Sequence, residues 1–224
     1  MNIDLNNAIV QKRWGYEYLA YRNQNLAIWY LYIKTNESTS LHCHCDKNTG
    51  LIVLDGIAKI SFLNNSLSLK GLDKIQIFKG RFHATRALSK FGCHILEIEA
   101  PEDKTDLVRL SDDYGRENEE YEDNRHYGPK TDDCINLNTH CSASKFGCLM
   151  SVQNIQDKHE LMNRPFDEVN VILKGGIAET KHHRIISGCG DVVASHNFDI
   201  LLKKFDIIQG TQILSIKKYA LVTQ

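Results

Sequence analysis

Short apolar runs recur along the chain with turn residues between them: Leu26–Thr35, Leu51–Leu54, Ile57–Phe62, Lys74–Phe78 and His94–Glu99 in the first half. They are rich in Ile, Val, Phe and Tyr and bounded by Gly, Asn and Asp, which predicts strands. The series resumes at Phe146–Val152, Val169–Leu173, Ile185–Ile186, Val192–Ala194, Ile200–Lys203, Phe205–Ile208 and Gln212–Lys217. An all-β sandwich or barrel is the expected class. Glu102–Asp133 breaks the rhythm, because Asp112–Asp123 (DDYGRENEEYED) is acidic and polar with few core-forming residues, and it reads as an exposed connector.

The two halves echo one another. Gly50–Ala58 (GLIVLDGIA) and Val169–Ala178 (VNVILKGGIA) each end an apolar strand at a turn glycine and restart with Ile-Ala. A duplicated unit making two stacked barrels follows, divided as 1–116, a connector at 117–133, and 134–224.

Length and composition narrow the picture without deciding it. A chain of 224 residues holds one large or two small domains. With 42% hydrophobic and 25% charged residues it has a globular composition. Lys plus Arg total 27 against 28 Asp plus Glu, so the net charge of −1 gives no reason to expect nucleic acid or anionic lipid as a partner. The opening MNIDLNNAIVQ lacks the basic-then-apolar pattern of a signal peptide, and no run approaches the ~18 apolar residues of a membrane span. Seven scattered cysteines, an odd number, suit a reducing cytoplasm better than a disulfide framework. Cys134, Cys141 and Cys148 are evenly spaced, but without a C-x-x-C pair they do not suggest structural zinc.

The chemistry concentrates in Ser38–Gly56 (STSLHCHCDKNTGLIVLDG). If Leu41–Cys45 is extended, strand alternation puts His42 and His44 on one face and turns Cys43 and Cys45 to the other, as buried structural thiols. His83, after the next pair of strands, is placed for a neighbouring strand to bring it alongside. A lone buried histidine is more often a hydrogen-bonded core residue than a ligand, so the companion pattern matters.

That pattern resembles the two motifs of the cupin superfamily. His42-Cys-His44 is followed by four residues, Thr49, six residues and Gly56, and Phe78-Lys-Gly80-Arg-Phe-His83 resembles the second motif. The spacing is kept, although Asn36 stands at the opening glycine, Thr49 at the glutamate and Phe78 at the proline. Over residues 13–116 the chain is similar to the cupin domain of type II mannose-6-phosphate isomerases: Arg13-Trp14-Gly15 looks like their opening Pro-Trp-Gly, and Asp106–Arg116 (DLVRLSDDYGR) looks like their closing segment.

The resemblance implies a double-stranded β-helix (jelly-roll) barrel, with the second barrel degenerate. It also implies one divalent metal held by His42, His44 and His83. With an imidazole gained at 42 and a carboxylate lost at 49, the neutral set points to Zn, Fe(II), Ni or Mn. The implied activity is isomerisation or epimerisation of a sugar phosphate or nucleotide sugar in surface polysaccharide metabolism. Glu97 and Arg109 are the catalytic candidates, and Lys47, Arg81 and Arg86 the substrate-binding ones. Each of these charges is read equally well as a solvated residue on a barrel rim. Two other readings stand beside it: a three-histidine Fe(II) oxygenase acting on a small acid or thiol, and a non-catalytic sugar-binding or regulatory module. In the second half Leu161, Asn163 and Glu168 align with His42, His44 and Thr49, so no transition metal is expected there. His182, His183 and His196 read as surface or turn residues. A cytoplasmic homodimer is the expected assembly.

Overall fold

A computed structural model describes residues 5–115, 127–182 and 184–219. Strands β1 (Ala8–Lys12), β2 (Gly15–Arg22), β3 (Ala27–Ile33), β4 (Leu41–Cys43), β5 (Asn48–Asp55), β6 (Ile57–Phe62), β7 (Ser66–Lys70), β8 (Lys74–Ile77), β9 (His83–Ala87), β10 (Cys93–Ala100) and β11 (Val108–Ser111) build the first barrel. Its two sheets run β12-β1-β2-β3-β10-β5-β8 and β11-β4-β9-β6-β7, where β12 (Tyr127–Pro129) is an added edge on β1. The second barrel comprises β13 (Ser142–Lys145), β14 (Cys148–Asn154), β15 (Val169–Lys174), β16 (Gly176–Glu179), β17 (Arg184–Gly188), β18 (Val192–Ala194), helix α1 (Ser195–Leu201), β19 (Asp206–Ile207) and β20 (Gln212–Lys218). Its sheets run β13-β14-β20-β15-β18 and β17-β16-β19.

The sheet orders show the duplication directly. The run β3-β10-β5-β8 in the first barrel is repeated as β14-β20-β15-β18, and β9-β6-β7 as β19-β16-β17. Gly56 and Gly175, the turn glycines of the sequence echo, both take positive φ, at 84° and 71°, where side-chained residues are strained. Among the described residues the copy has no counterparts of β4, which carries His42, or of β11 beside it.

Alternation explains where the cores lie. On β10, Cys93 and Ile95 point into the first barrel with Trp29, Leu31, Leu51 and Val53, while Leu96 and Ile98 point outward. The outward set meets Val169, Val171, Leu173, Leu214 and Ile216 from the second barrel, so one cluster forms the seam between the barrels. Both faces of β2, β3, β5 and β10 are therefore buried, which is why their sequences read as near-continuous apolar runs. Polar clips cross the seam: Tyr21 Oη donates to Gln212 Oε1 at 2.9 Å and Asn23 Nδ2 to the Leu173 carbonyl at 2.9 Å. A third cluster, Ile155, Leu161, Ile172, Ile177, Val193, Phe198, Leu202 and Ile213, fills the second barrel with hydrocarbon.

Several expectations need correction. Ile200–Lys203 is not a strand: α1 runs through Leu201 and lays Phe198 into the second core. The interruption at 102–133 contains two strands, β11 on β4 and β12 on β1. The acidic stretch from residue 116 to 123 lies outside the described residues, as does His183.

Because the seam belongs to both barrels, removing a buried side chain from it is expected to lower the stability of the whole chain. Leu96→Ala, at a fully buried position, is expected to cost about 2–5 kcal/mol. Urea unfolding should show both halves melting in one transition; a loss under ~1 kcal/mol, or two separate transitions, contradicts the shared core.

Candidate metal centre

The histidine segment is set by pairing on both sides. β4 lies between β9 and β11, and the antiparallel register places His42 directly opposite His83 on one side and Arg109 on the other. His44 follows two residues on, with the same facing. The turn before His83 docks on the first motif, where the Gly80 N–H, in a residue at φ 75°, donates to the His44 carbonyl at 2.6 Å. Asn36, at the motif's opening glycine position, has φ 64°, a conformation asparagine tolerates better than most residues, so the turn survives the exchange.

The three imidazoles form one cluster. Ring centroids are 4.9 Å apart for His42 and His44, 4.5 Å for His42 and His83, and 5.6 Å for His44 and His83. One nitrogen from each lies within 4.8 Å of the others. Each Nδ1 faces a backbone carbonyl: Ser40 at 2.8 Å from His42, Asp106 at 2.5 Å from His44 and Arg81 at 3.0 Å from His83. A carbonyl oxygen can only accept, so Nδ1 carries the proton and each neutral ring keeps its lone pair on Nε2. Burial, with the neighbouring imidazoles and Lys47 adding to it, holds His42 well below its ordinary range. Burial likewise lowers His44 and His83 to about 4, so all three are neutral at pH 7. The Nε2 atoms of His44 and His83 are buried with no hydrogen-bond partner. A divalent cation satisfies these lone pairs, and the donor set fits the metal implied by the motifs.

Asp106 braces this segment. Its carboxylate accepts the backbone N–H groups of Cys45, Asp46 and Lys47 at 2.6, 3.0 and 3.0 Å, while its carbonyl holds His44. Burial pushes its carboxyl up, but the three amides hold it below the usual range.

His42 and His44 line a pocket that opens to solvent. Beside them stand Lys12, Glu17, Lys47, Glu97, Glu99, Lys104 and Arg109. Glu99 Oε1 takes Lys47 Nζ at 2.9 Å and Lys104 Nζ at 3.3 Å, and Glu17 takes Lys12 at 3.6 Å and Lys104 at 3.7 Å. Lys104 also lies 3.8 Å above the Trp29 ring. Burial would discharge Lys104, but Glu17, Glu99 and Glu97 keep it above the usual lysine range. Burial raises Glu97, and the charge of Glu99 raises it further, to about 7.

The geometry sorts the sequence candidates. His42, His44, Glu97, Arg109 and Lys47 share the pocket, although Lys47 is buried in an ion pair rather than offered as a free cation. His83 is buried behind them, with its ring centroid 4.5 Å from that of His42. Arg81 and Arg86 do not line it: Arg81 covers the Phe62 ring at 4.3 Å, and Arg86 bonds Asp113 and the Asn36 carbonyl. Cys43 is buried as expected, but Cys45 is exposed. Glu17, Glu99, Lys104 and Lys12 were not anticipated. Charged residues within strands gave no sign of facing inward, and only the every-second-residue spacing of Glu97 and Glu99 offered a cue. In the second barrel Leu161 is core, the Asn163 N–H bonds Asp199 and Glu168 pairs with Arg164. His196 is exposed and stacked on Phe166.

Residues 4–112 match the family model "Mannose-6-phosphate isomerase C-terminal". The matched segment is just under half of the chain, and it has the double-stranded β-helix fold of the cupins. Among solved structures, a cupin from Shewanella frigidimarina is 12% identical over 46% of this chain and 92% of its own, with a TM-score of 0.40. A Bacillus halodurans protein is 19% identical over 38% of this chain and 69% of its own, with a TM-score of 0.37. A protein described as a putative sugar phosphate isomerase from Acidithiobacillus ferrooxidans is 17% identical over 35% and 52%, with a TM-score of 0.33. No curated protein matches the sequence. Among the described residues no helix is long and apolar enough to cross a membrane.

If this cupin holds its metal through the three histidines, His83→Ala is expected to abolish metal retention in elemental analysis while circular dichroism stays that of the parent. Metal retained at the parent level shows that the ligand set is different.

Proposed function

We propose that this pocket is the active site of a metal-dependent isomerase or epimerase acting on a small anionic sugar, a sugar phosphate or nucleotide sugar. The observation that carries the reading is Glu97, a pocket carboxyl held near neutrality beside the three histidines. A general base works best with a pKa close to the working pH. The surroundings favour an anion: Lys12, Lys47, Lys104 and Arg109 face three carboxylates, one of which burial and its neighbour Glu99 raise toward the neutral acid, before any metal charge is added. The match to the isomerase family model points to the same substrate class.

In this reading Glu97 removes the proton from the carbon next to the sugar carbonyl and returns it to the neighbouring carbon. Arg109, paired in register with His42, holds the anionic group or the oxygen on which charge develops. A zinc, iron, nickel or manganese ion bound by the histidines supplies Lewis-acid polarisation of the substrate oxygens. Lys47, Lys104 and Glu99 fix the electrostatic setting of Glu97 rather than touching the reacting carbons.

Solvent-deuterium incorporation at the carbon next to the carbonyl, followed by NMR across a panel of aldose phosphates and nucleotide sugars, tests the assignment. Glu97→Gln is expected to slow exchange by about 10²–10⁴-fold. Since Glu97 acts only when deprotonated, kcat/KM should rise with pH through about 7. Exchange unaffected by the substitution, or a flat pH profile, rejects Glu97 as the base.

One feature favours a second reading. Thr49 at the usual carboxylate position leaves a neutral three-histidine set, which suits an Fe(II) oxygenase. Stoichiometric iron with substrate-dependent oxygen consumption, and no deuterium exchange, selects it.

A further inference from the structure

Thr49 sits where the cupin motif places a carboxylate, and its Oγ1 is buried without a hydrogen-bond partner. The antiparallel register of β5 and β10 puts Glu99 directly opposite Thr49. Directly opposed residues in such a pair project to the same face with Cβ atoms about 4.5–5.5 Å apart. Glu99 therefore brings a carboxylate from the next strand to the region that the short threonine vacates, and it lines the same pocket as His42 and His44.

The two oxygens of Glu99 differ. Oε1 is tethered by Lys47 and Lys104, whereas Oε2 is buried with no hydrogen-bond partner. A buried, ionised oxygen without a donor is costly. The unpartnered atoms around this site include the Nε2 atoms of His44 and His83 as well as this oxygen. The ligand atoms that already lie within 4.8 Å of one another are those of the three histidines, so Glu99 joins them by turning Oε2 toward an ion held there.

We propose that Glu99 has taken over the ligand role of the missing motif glutamate, joining His42, His44 and His83 as the carboxylate ligand of the metal through Oε2. The inference rests on the metal-site reading above. It gives the site three imidazoles and one carboxylate, a set that divalent Mn, Fe, Ni or Zn accepts. The two lysines then serve to fix Oε1, so that the carboxylate binds through one oxygen.

Crystals of the intact chain soaked with zinc or manganese are expected to show Glu99 Oε2 at ~2.0–2.2 Å from the ion. An ion bound by the histidines with Glu99 still turned away and water in the fourth position overturns the proposal. In solution, Glu99→Gln should lower cobalt(II) affinity, measured by calorimetry, by at least about tenfold and shift the visible cobalt bands. Since Glu99→Gln strips Lys47 of its counter-charge and risks misfolding, the Thr49→Glu/Glu99→Gln double variant returns a carboxylate from β5. It is expected to regain both affinity and a four-ligand cobalt spectrum. Parent affinity and bands in Glu99→Gln, with metal lost only in His83→Ala, sink the Glu99 assignment and leave the three histidines standing. A parent protein that takes up no metal sinks both.

Discussion

The carbonyl oxygens of Ser40, Arg81 and Asp106 each take the Nδ1 proton of one histidine, and most of the pocket's chemistry follows from that. Burial alone yields neutral imidazoles, but it does not say which nitrogen keeps the lone pair. The backbone does, and it turns three rings into three convergent Nε2 donors. Each carbonyl is held by pairing or by a brace: β4 lies between β9 and β11, and the Asp106 carboxylate is clamped by three successive amides.

The same logic accounts for the asymmetry between the barrels. The second copy keeps the sheet order and the turn glycine but, among the described residues, has no equivalents of β4 and β11, and its interior is filled by Leu161, Phe198 and Leu202. With hydrocarbon where the first barrel has imidazole and carboxylate, it contributes the opposite wall of the seam. The apolar faces of β5 and β10 would otherwise meet water, so the degenerate barrel stabilises the strands that carry Glu97, Glu99 and Thr49.

Much of this was readable from residue spacing. His42 and His44 two apart, His83 after a turn glycine and the repeated strand–glycine–Ile-Ala motif need only strand alternation to be placed. The charged lining was harder, because Lys12, Glu17, Glu99 and Lys104 look in sequence like solvated rim residues. Lys12, Glu17 and Glu99 face inward because sheet register, fixed by apolar neighbours such as Trp29, Leu51 and Ile95, leaves them no other face, and Lys104 reaches in over the Trp29 ring from the turn after β10. Arg86 lies away from the pocket because alternation along β9 turns it to the face opposite His83, and Arg81 stands in the turn before that strand, over the Phe62 ring. Ile200–Lys203 misled because a short apolar run fits a helix turn as well as a strand.

The central claim is that the backbone presets three Nε2 lone pairs for a metal. Long-range proton–nitrogen NMR of the metal-free protein at pH 7 tests it most directly. His42, His44 and His83 are each expected to show a protonated Nδ1 and an unprotonated Nε2, and zinc should move the three Nε2 resonances together. Imidazolium signals, or protons on Nε2 in these residues, would contradict the account.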